Sequence, residues 1–162
     1  VVMFAKHEAV RGAYHALFRE RQIHKQYEAI ARWRPDLAYP FEHASCLQES
    51  GDFFRMGEAE GVVNSSTIVD VLEHNATWAR YLLSPISGKR HQLRVHMAAL
   101  GMPLLYDSLY PQVRPVNSGD YAQPLQLLAK SVQFVDPITQ AEQQFVSQQQ
   151  LLPVPEADFV WA

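Results

Sequence analysis

The sequence predicts an α+β domain, a mixed and largely antiparallel sheet flanked by a few helices. Segments patterned as strands outnumber the two patterned as helices, and the order shows no regular βαβ alternation. A length of 162 residues with 48% hydrophobic content fills one core, so residues 1–162 are expected to form a single domain.

Val1 to Ala5 is a β-branched and aromatic run that reads as a buried strand, ended by Lys6 and His7. A helix is expected over Glu8 to Arg21, where Val10, Ala13, Tyr14, Leu17 and Phe18 recur at helical spacing. In Lys25 to Trp33 the period becomes two, with Tyr27, Ala29, Ala31 and Trp33 on one face of a half-buried strand. Pro35 and Pro40 bracket a loop. Strands are then expected over Phe41 to Leu47, Asp52 to Gly57, Ser66 to Glu73 and Thr77 to Leu83. From Arg90 to Leu100 the residues Leu93, His96, Met97 and Leu100 mark a second helix, closed by Gly101 and stopped by Pro103. Pro111 to Gln123 reads as loop. Leu125 to Val135 and Gln143 to Val146 read as a strand pair around the turn Asp136-Pro137-Ile138-Thr139.

No run of 18 apolar residues occurs and the N-terminus lacks the pattern of a secretory signal, so no membrane partner is expected. The single Cys46 makes no internal disulfide, which fits a reducing, cytoplasmic location. The chain opens inside an apolar stretch without an initiator Met, and a longer protein is expected to continue upstream.

A net charge of −3 argues against a nucleic-acid partner until its distribution is considered. Residues 1–34 carry seven lysines and arginines against three acids, and residues 76–119 carry five against Asp107 alone. The intervening and following stretches are acidic. The two basic blocks either fold into one positive face or remain separate solvated surfaces.

The stretch Pro85-Ile-Ser-Gly-Lys-Arg-His-Gln-Leu-Arg94 leads a loop into a helix whose first turns hold Lys89, Arg90 and Arg94, an arrangement that attracts phosphate or is simply a solvated end. Arg90 and Arg94, four apart, share a face. His91 and His96 lie about 140° apart around a helix of 3.6 residues per turn, so they do not share a metal ion, and no metal is expected. Tyr27, beside Lys25 on a strand, is either a core ring or a platform for a nucleobase.

These segments together resemble successive motifs of the RluA-type RNA pseudouridine synthases. Val1-Val-Met-Phe-Ala-Lys6 resembles the strand after that family's catalytic aspartate, and Leu17 through Ile30 resembles the helix and strand bearing its active-site tyrosine. Gly88-Lys-Arg-His-Gln-Leu-Arg94-Val-His-Met-Ala-Ala-Leu-Gly101-Met-Pro-Leu-Leu-Tyr-Asp107-Ser-Leu-Tyr110 matches its most recognisable stretch. Pro124 to Ala129 with Phe134-Val-Asp-Pro137 is similar to its closing strands, whereas residues 40–75 match loosely.

The resemblance implies a pseudouridine-synthase-like fold and the isomerisation of uridine to pseudouridine in RNA, ribosomal RNA by family expectation, without cofactor or metal. The target nucleotide would be flipped from its stack into a pocket. It further implies that Tyr27 stacks on the uracil and helps remove the C5 proton, and that Arg94 pairs with the catalytic aspartate. Leu93 would line the pocket. Lys89, Arg90, Lys25 and the first helix's Arg11 and Arg19 would bind the RNA, largely through phosphate.

Two departures qualify the match. The family's aspartate motif would fall immediately before Val1, so this chain is expected to be the larger, C-terminal part of the catalytic domain and inactive alone. Tyr106 stands where the family usually has glycine, and Gln126 and Lys130 replace commoner residues, which is expected to alter substrate fit. The competing readings are a noncatalytic RNA-binding domain and an unrelated α+β enzyme using His91 and His96 as acid and base. Oligomeric state is not legible.

Overall fold

The computed structural model describes residues 1–51, 54–114 and 122–160. Two helices, α1 (Glu8–Arg19) and α2 (Gln92–Ala99), flank the strands β1 (His24–Arg32), β2 (Phe41–Glu49), β3 (Met56–Ala59), β4 (Ser65–His74), β5 (Trp78–Pro85), β6 (Leu127–Val135) and β7 (Glu142–Val146). The strands form one sheet in the order β3-β2-β4-β5-β1-β6-β7, and every neighbouring pair is antiparallel. The expected α+β class holds. None of the described helices is long and apolar enough to cross a membrane.

β1 lies within the sheet, between β5 and β6, and its small residues govern the packing. Ala29 and Ala31 face the same side as Ala79, Tyr81 and Leu83 of β5, and that side receives Leu93 and Met97 of α2 together with Met102 and Leu104. Ile30 points the other way into a second cluster with Trp78 and Leu105, covered by Leu151, Val154 and Phe159. β1 is therefore buried on both faces, not on one as its alternation suggested, because the segment beyond β7 returns across the sheet.

α1 carries Glu8 in its first turn and Arg19 in its last, both suited to the helix dipole. Leu17 is its buried anchor, packed with Ile23, Val132 and Phe134. The helix stops two residues before the expected end because Arg21 turns left-handed, at φ 58°, while Gln22 N–H bonds back to Leu17 O. Tyr14 fastens it to the β6–β7 turn by donating to Asp136 Oδ2 at 2.8 Å. The other oxygen of Asp136 accepts the Ile138 and Thr139 N–H groups, the local bonding that makes this expected turn.

Two expected strands differ. Val1 to Ala5 forms no ladder; its one backbone tie is the Val1 amino group to Ala129 O at 2.7 Å, and Phe4 stays 85% exposed. β6 is already paired with β1 on one side and, over Ser131 to Val135, with β7 on the other, leaving only its first half open. The strand expected at Asp52 to Gly57 begins at Met56 and runs to Ala59, set by its register with β2; residues 52 and 53 lie outside the described residues. So does part of the expected Pro111 to Gln123 loop.

α2 is shorter than its periodicity predicted. Arg90 and His91 precede it, with His91 at φ 54°, and Gly101 follows it at φ 74°. A Cβ on Gly101 would come within 2.9 Å of Arg34 Nη1, the group that donates to Leu100 O at 2.6 Å. Gly101→Ala is therefore expected to lower stability by about 1–2 kcal/mol through the left-handed backbone alone, and by more if the Arg34 bond is displaced. Urea unfolding of the two proteins measures this; an unchanged midpoint would contradict it.

Candidate active site

A cleft of about 240 Å³ opens where β1, the end of β5, the start of α2 and β6 meet. Tyr27, Leu93 and Leu127 supply its apolar walls, and Lys25, Lys89, His91 and Arg94 its polar ones. Larger space exists elsewhere: a groove of about 490 Å³ runs between residues 3–7, α1 and the β6–β7 turn. The smaller cleft is the better candidate because polar groups converge there on an apolar slot, the usual construction of a ligand site.

The loop entering α2 is held by a buried amide. Gln92 Oε1 accepts the Ser87 hydroxyl at 2.7 Å and the Lys89 N–H at 3.0 Å, while its Nε2 donates to Ser66 O and Thr67 Oγ1. Ser87 Oγ in turn accepts the Ser66 N–H. All donors and acceptors of this amide are thus spent on tying the loop to β4. Lys25 completes the wall by donating from Nζ to Ser87 O at 3.1 Å. Burial pushes the Lys25 ammonium below its ordinary pKa and the Tyr27 phenol above its own.

Arg94 is fixed on two sides. Its Nε and Nη2 donate to the two oxygens of Asp107 at 2.9 and 2.5 Å, and its guanidinium carbon lies 5.2 Å from the centre of the Tyr110 ring. Asp107 is fully buried and also accepts the Leu109 and Tyr110 N–H groups at 2.8 and 3.1 Å. A buried carboxylate with this many donors is one whose desolvation is compensated. The edge of Arg94 carrying Nη1 is left over from the fork that grips Asp107.

The structure brings Lys25, Tyr27, Lys89, Leu93 and Arg94 to one cleft. Arg90, Arg11 and Arg19 do not join it. Arg90 lies outside the helix with Nη1 3.9 Å from Glu49, so the expected shared face with Arg94 does not form. Arg19 pairs with Glu20 at 3.1 Å on the exposed side of α1, and Arg11 is exposed on the same helix. Two cations of the basic blocks are also neutralised by neighbouring acids, Arg80 by Glu73 and Glu28 and Arg34 by Asp36, and Lys130 beyond them shares Glu28. The two basic blocks do not merge into one positive face; among the described residues Lys25 and Lys89 are the cations that line the cleft without an acidic partner.

Sequence reasoning missed Asp107, Gln92 and Tyr110. Asp107 reaches Arg94 only because residues 101–106 fold back beneath α2, and no helical or strand period relates positions 94 and 107. Gln126 and Lys130, departures expected to alter substrate fit, do not line the cleft: Gln126 bonds Pro124 O and Leu152 N–H, and Lys130 pairs with Glu28. Tyr106 adopts φ 62°, the left-handed conformation in which glycine is favoured.

The acid–base reading of His91 and His96 does not stand. His91 lines the cleft and is 3.0 Å from the Tyr110 hydroxyl through Nδ1, but His96 is sealed from solvent. The Ser65 hydroxyl gives its hydrogen to Ser45 O, so it accepts from His96 Nε2, and Nδ1 accepts from Thr67. His96, His43 and Glu58 are the one cluster of metal-type donors among the described residues, with ligand atoms within 4.8 Å of one another. Both ring nitrogens of His96 are already hydrogen-bonded, and His43 Nε2 is 2.7 Å from Glu58. That arrangement is a satisfied network.

Asp107→Ala leaves the Arg94 guanidinium without its partner and is expected to destabilise the protein by about 3–5 kcal/mol. A shift in urea midpoint below about 1 kcal/mol would contradict this. Burial holds the His96 imidazole down to about 4, against 6.5 when unfolded. Between those values the unfolded His96 binds more proton than the folded one, so its contribution to the unfolding free energy falls as pH drops from about 6.5 towards about 4 and is constant below. His96→Gln should reduce that slope; an identical slope would show that His96 does not contribute.

Comparison with known proteins accords with this geometry. Residues 1–99 match the sequence profile of the RNA pseudouridylate synthase family. The chain is 32% identical over 123 residues to the dual-specificity RNA pseudouridine synthase RluA of Haemophilus influenzae, covering 72% of this chain and 55% of that protein. It is 30% identical over 120 residues to human pseudouridylate synthase RPUSD2, covering 70% of this chain but 21% of the human protein. The fold is shared with human RNA pseudouridylate synthase domain containing 1, with a TM-score of 0.70 at 23% identity over 90% of this chain and 62% of that one. The chain thus spans about half, or less, of the curated relatives it matches, and it belongs to the RNA pseudouridylate synthase family.

Proposed function

We propose that the protein containing this chain converts uridine to pseudouridine in RNA, ribosomal RNA in the first instance, in the cytoplasm, and that its nucleophilic aspartate lies in the segment preceding Val1. The observation that carries the reading is the meeting of Tyr27 and Arg94 in one cleft beside the position where residue 1 enters. Val1 bonds Ala129 O, and Ala129 is the residue paired with Tyr27 across β1 and β6. A residue immediately upstream would enter next to the Tyr27 ring.

Isomerisation requires that the bond from N1 to the ribose break, that the base turn, and that C5 bond to the ribose with loss of its proton while N1 takes one up, so that no proton is gained or lost overall. The detached uracil has to be retained during the turn. Tyr27 offers it a flat ring face and Leu93 and Leu127 apolar walls, which hold a base without fixing one in-plane orientation. Because burial raises the Tyr27 phenol, it takes part at neutral pH as a neutral O–H that relays a proton and not as a phenolate. Arg94, with two nitrogens committed to Asp107, presents its Nη1 edge to the upstream carboxylate, keeping it ionised and oriented. No step in this scheme calls on a cofactor or metal.

The test is conversion of a ribosomal RNA transcript, read by nucleoside mass spectrometry. The full-length protein should form pseudouridine, Tyr27→Phe and Arg94→Ala should each lower turnover by about 100-fold or more, and the isolated 162-residue chain should form none. Conversion by the isolated chain would remove the need for an upstream aspartate. RNA binding by the full-length protein without conversion would leave a noncatalytic binding module.

A further inference from the structure

Beyond the cleft, a second groove of about 330 Å³ crosses the ends of β1, β5, β6 and β7. It is continuous with the cleft, since Lys25 and Pro85 line both, and Lys25 also borders the small cavity beside Val1. We propose that this groove, through Arg21, His24, Lys25, Gln26, Gln133 and Gln144, binds the phosphodiester backbone of the RNA strand that flanks the flipped nucleotide. The proposal rests on the synthase reading for which strand lies there.

The chemistry of the lining selects the ligand. Among the described residues no carboxylate lines the groove, whereas Arg21, Lys25, the amides of Gln26, Gln133 and Gln144, and the hydroxyl of Ser84 offer hydrogen-bond donors. Among the described residues no Phe, Tyr or Trp lines it, and its one ring is the His24 imidazole. A lining dominated by donors suits phosphate and ribose, the parts of RNA that set position without reading sequence.

The donors are also oriented. Ser131 Oγ donates to Gln26 Oε1 at 3.0 Å, which leaves the two N–H bonds of that amide for a ligand. Lys25 spends one donor on Ser87 O and has no carboxylate partner among the described residues, so an ammonium with two further donors stands where groove and cleft join. Arg21 is placed at the groove by its own left-handed turn at the end of α1. Arg11 and Arg19, the cations that sequence alone favoured, line none of these spaces.

Fluorescence anisotropy of the full-length protein with a fluorescein-labelled single-stranded RNA, titrated over a range of potassium chloride concentrations, tests the groove. Arg21→Ala should weaken binding and lower the slope of log affinity against log salt by about 0.7, the loss of one phosphate contact. Gln133→Glu combined with Gln144→Glu, both exposed positions, should raise Kd by about tenfold at low salt through repulsion of phosphate, whereas Gln149→Glu, which lines neither the groove nor the cleft, should not. Wild-type affinity and slope in both groove variants would overturn the proposal, as would failure of the unaltered protein to bind RNA. If the groove variants lose RNA while the unaltered protein binds but never forms pseudouridine, the groove stands as an RNA site and the synthase reading falls.

Discussion

The bidentate pair between Arg94 and a fully buried Asp107 is the constraint on which the cleft depends. Asp107 also accepts two backbone N–H groups of the segment that follows it, so one carboxylate binds α2 to the loop returning beneath it. A guanidinium on a flexible stem would sample many orientations. Two parallel bonds and a facing Tyr110 ring reduce these to one and leave a defined edge for a ligand. Pre-organisation of this kind lets a site stabilise charge without rearranging as it forms.

Electrostatics elsewhere follow from the sheet order and not from net charge. Strand pairing sets Glu73 against Arg80, and Glu28 sits between Arg80 and Lys130, so much of the basic excess in residues 76–119 is spent internally. Among the described residues Lys25 and Lys89 at the cleft and Arg21 at the groove have no acidic partner. An acidic protein therefore carries a local donor-rich surface, and local potential is what steers an anionic partner.

Much of this was legible in the sequence. The period of two in β1, the helical spacing around Leu93 and Met97, and the turn at Asp136 each express a local preference that the fold keeps. The pairing of Tyr27 with Arg94 came from motif resemblance, since no local pattern places a strand residue and a helix residue 67 positions apart in one cleft. Asp107 could not be read as the partner of Arg94 because the contact depends on how residues 101–106 fold back. The strand expected at Val1 to Ala5 failed for the same kind of reason: its apolar residues have the propensity, but β6 offers them only a short open edge. Tyr106 is the converse case, where a residue ill-suited to φ 62° marks a position at which the family usually has glycine.

The central claim is spatial: a flipped uridine sits between Tyr27, Leu93 and Leu127, within reach of Arg94. Photocrosslinking of the full-length protein to RNA bearing 4-thiouridine at the modified position, followed by mass spectrometric mapping of the adduct, tests it directly. The account predicts crosslinks on the peptides carrying Tyr27, Leu93 or Leu127. Crosslinks confined to the groove between α1 and the β6–β7 turn, or to the face bearing Trp78 and Phe159, would contradict it.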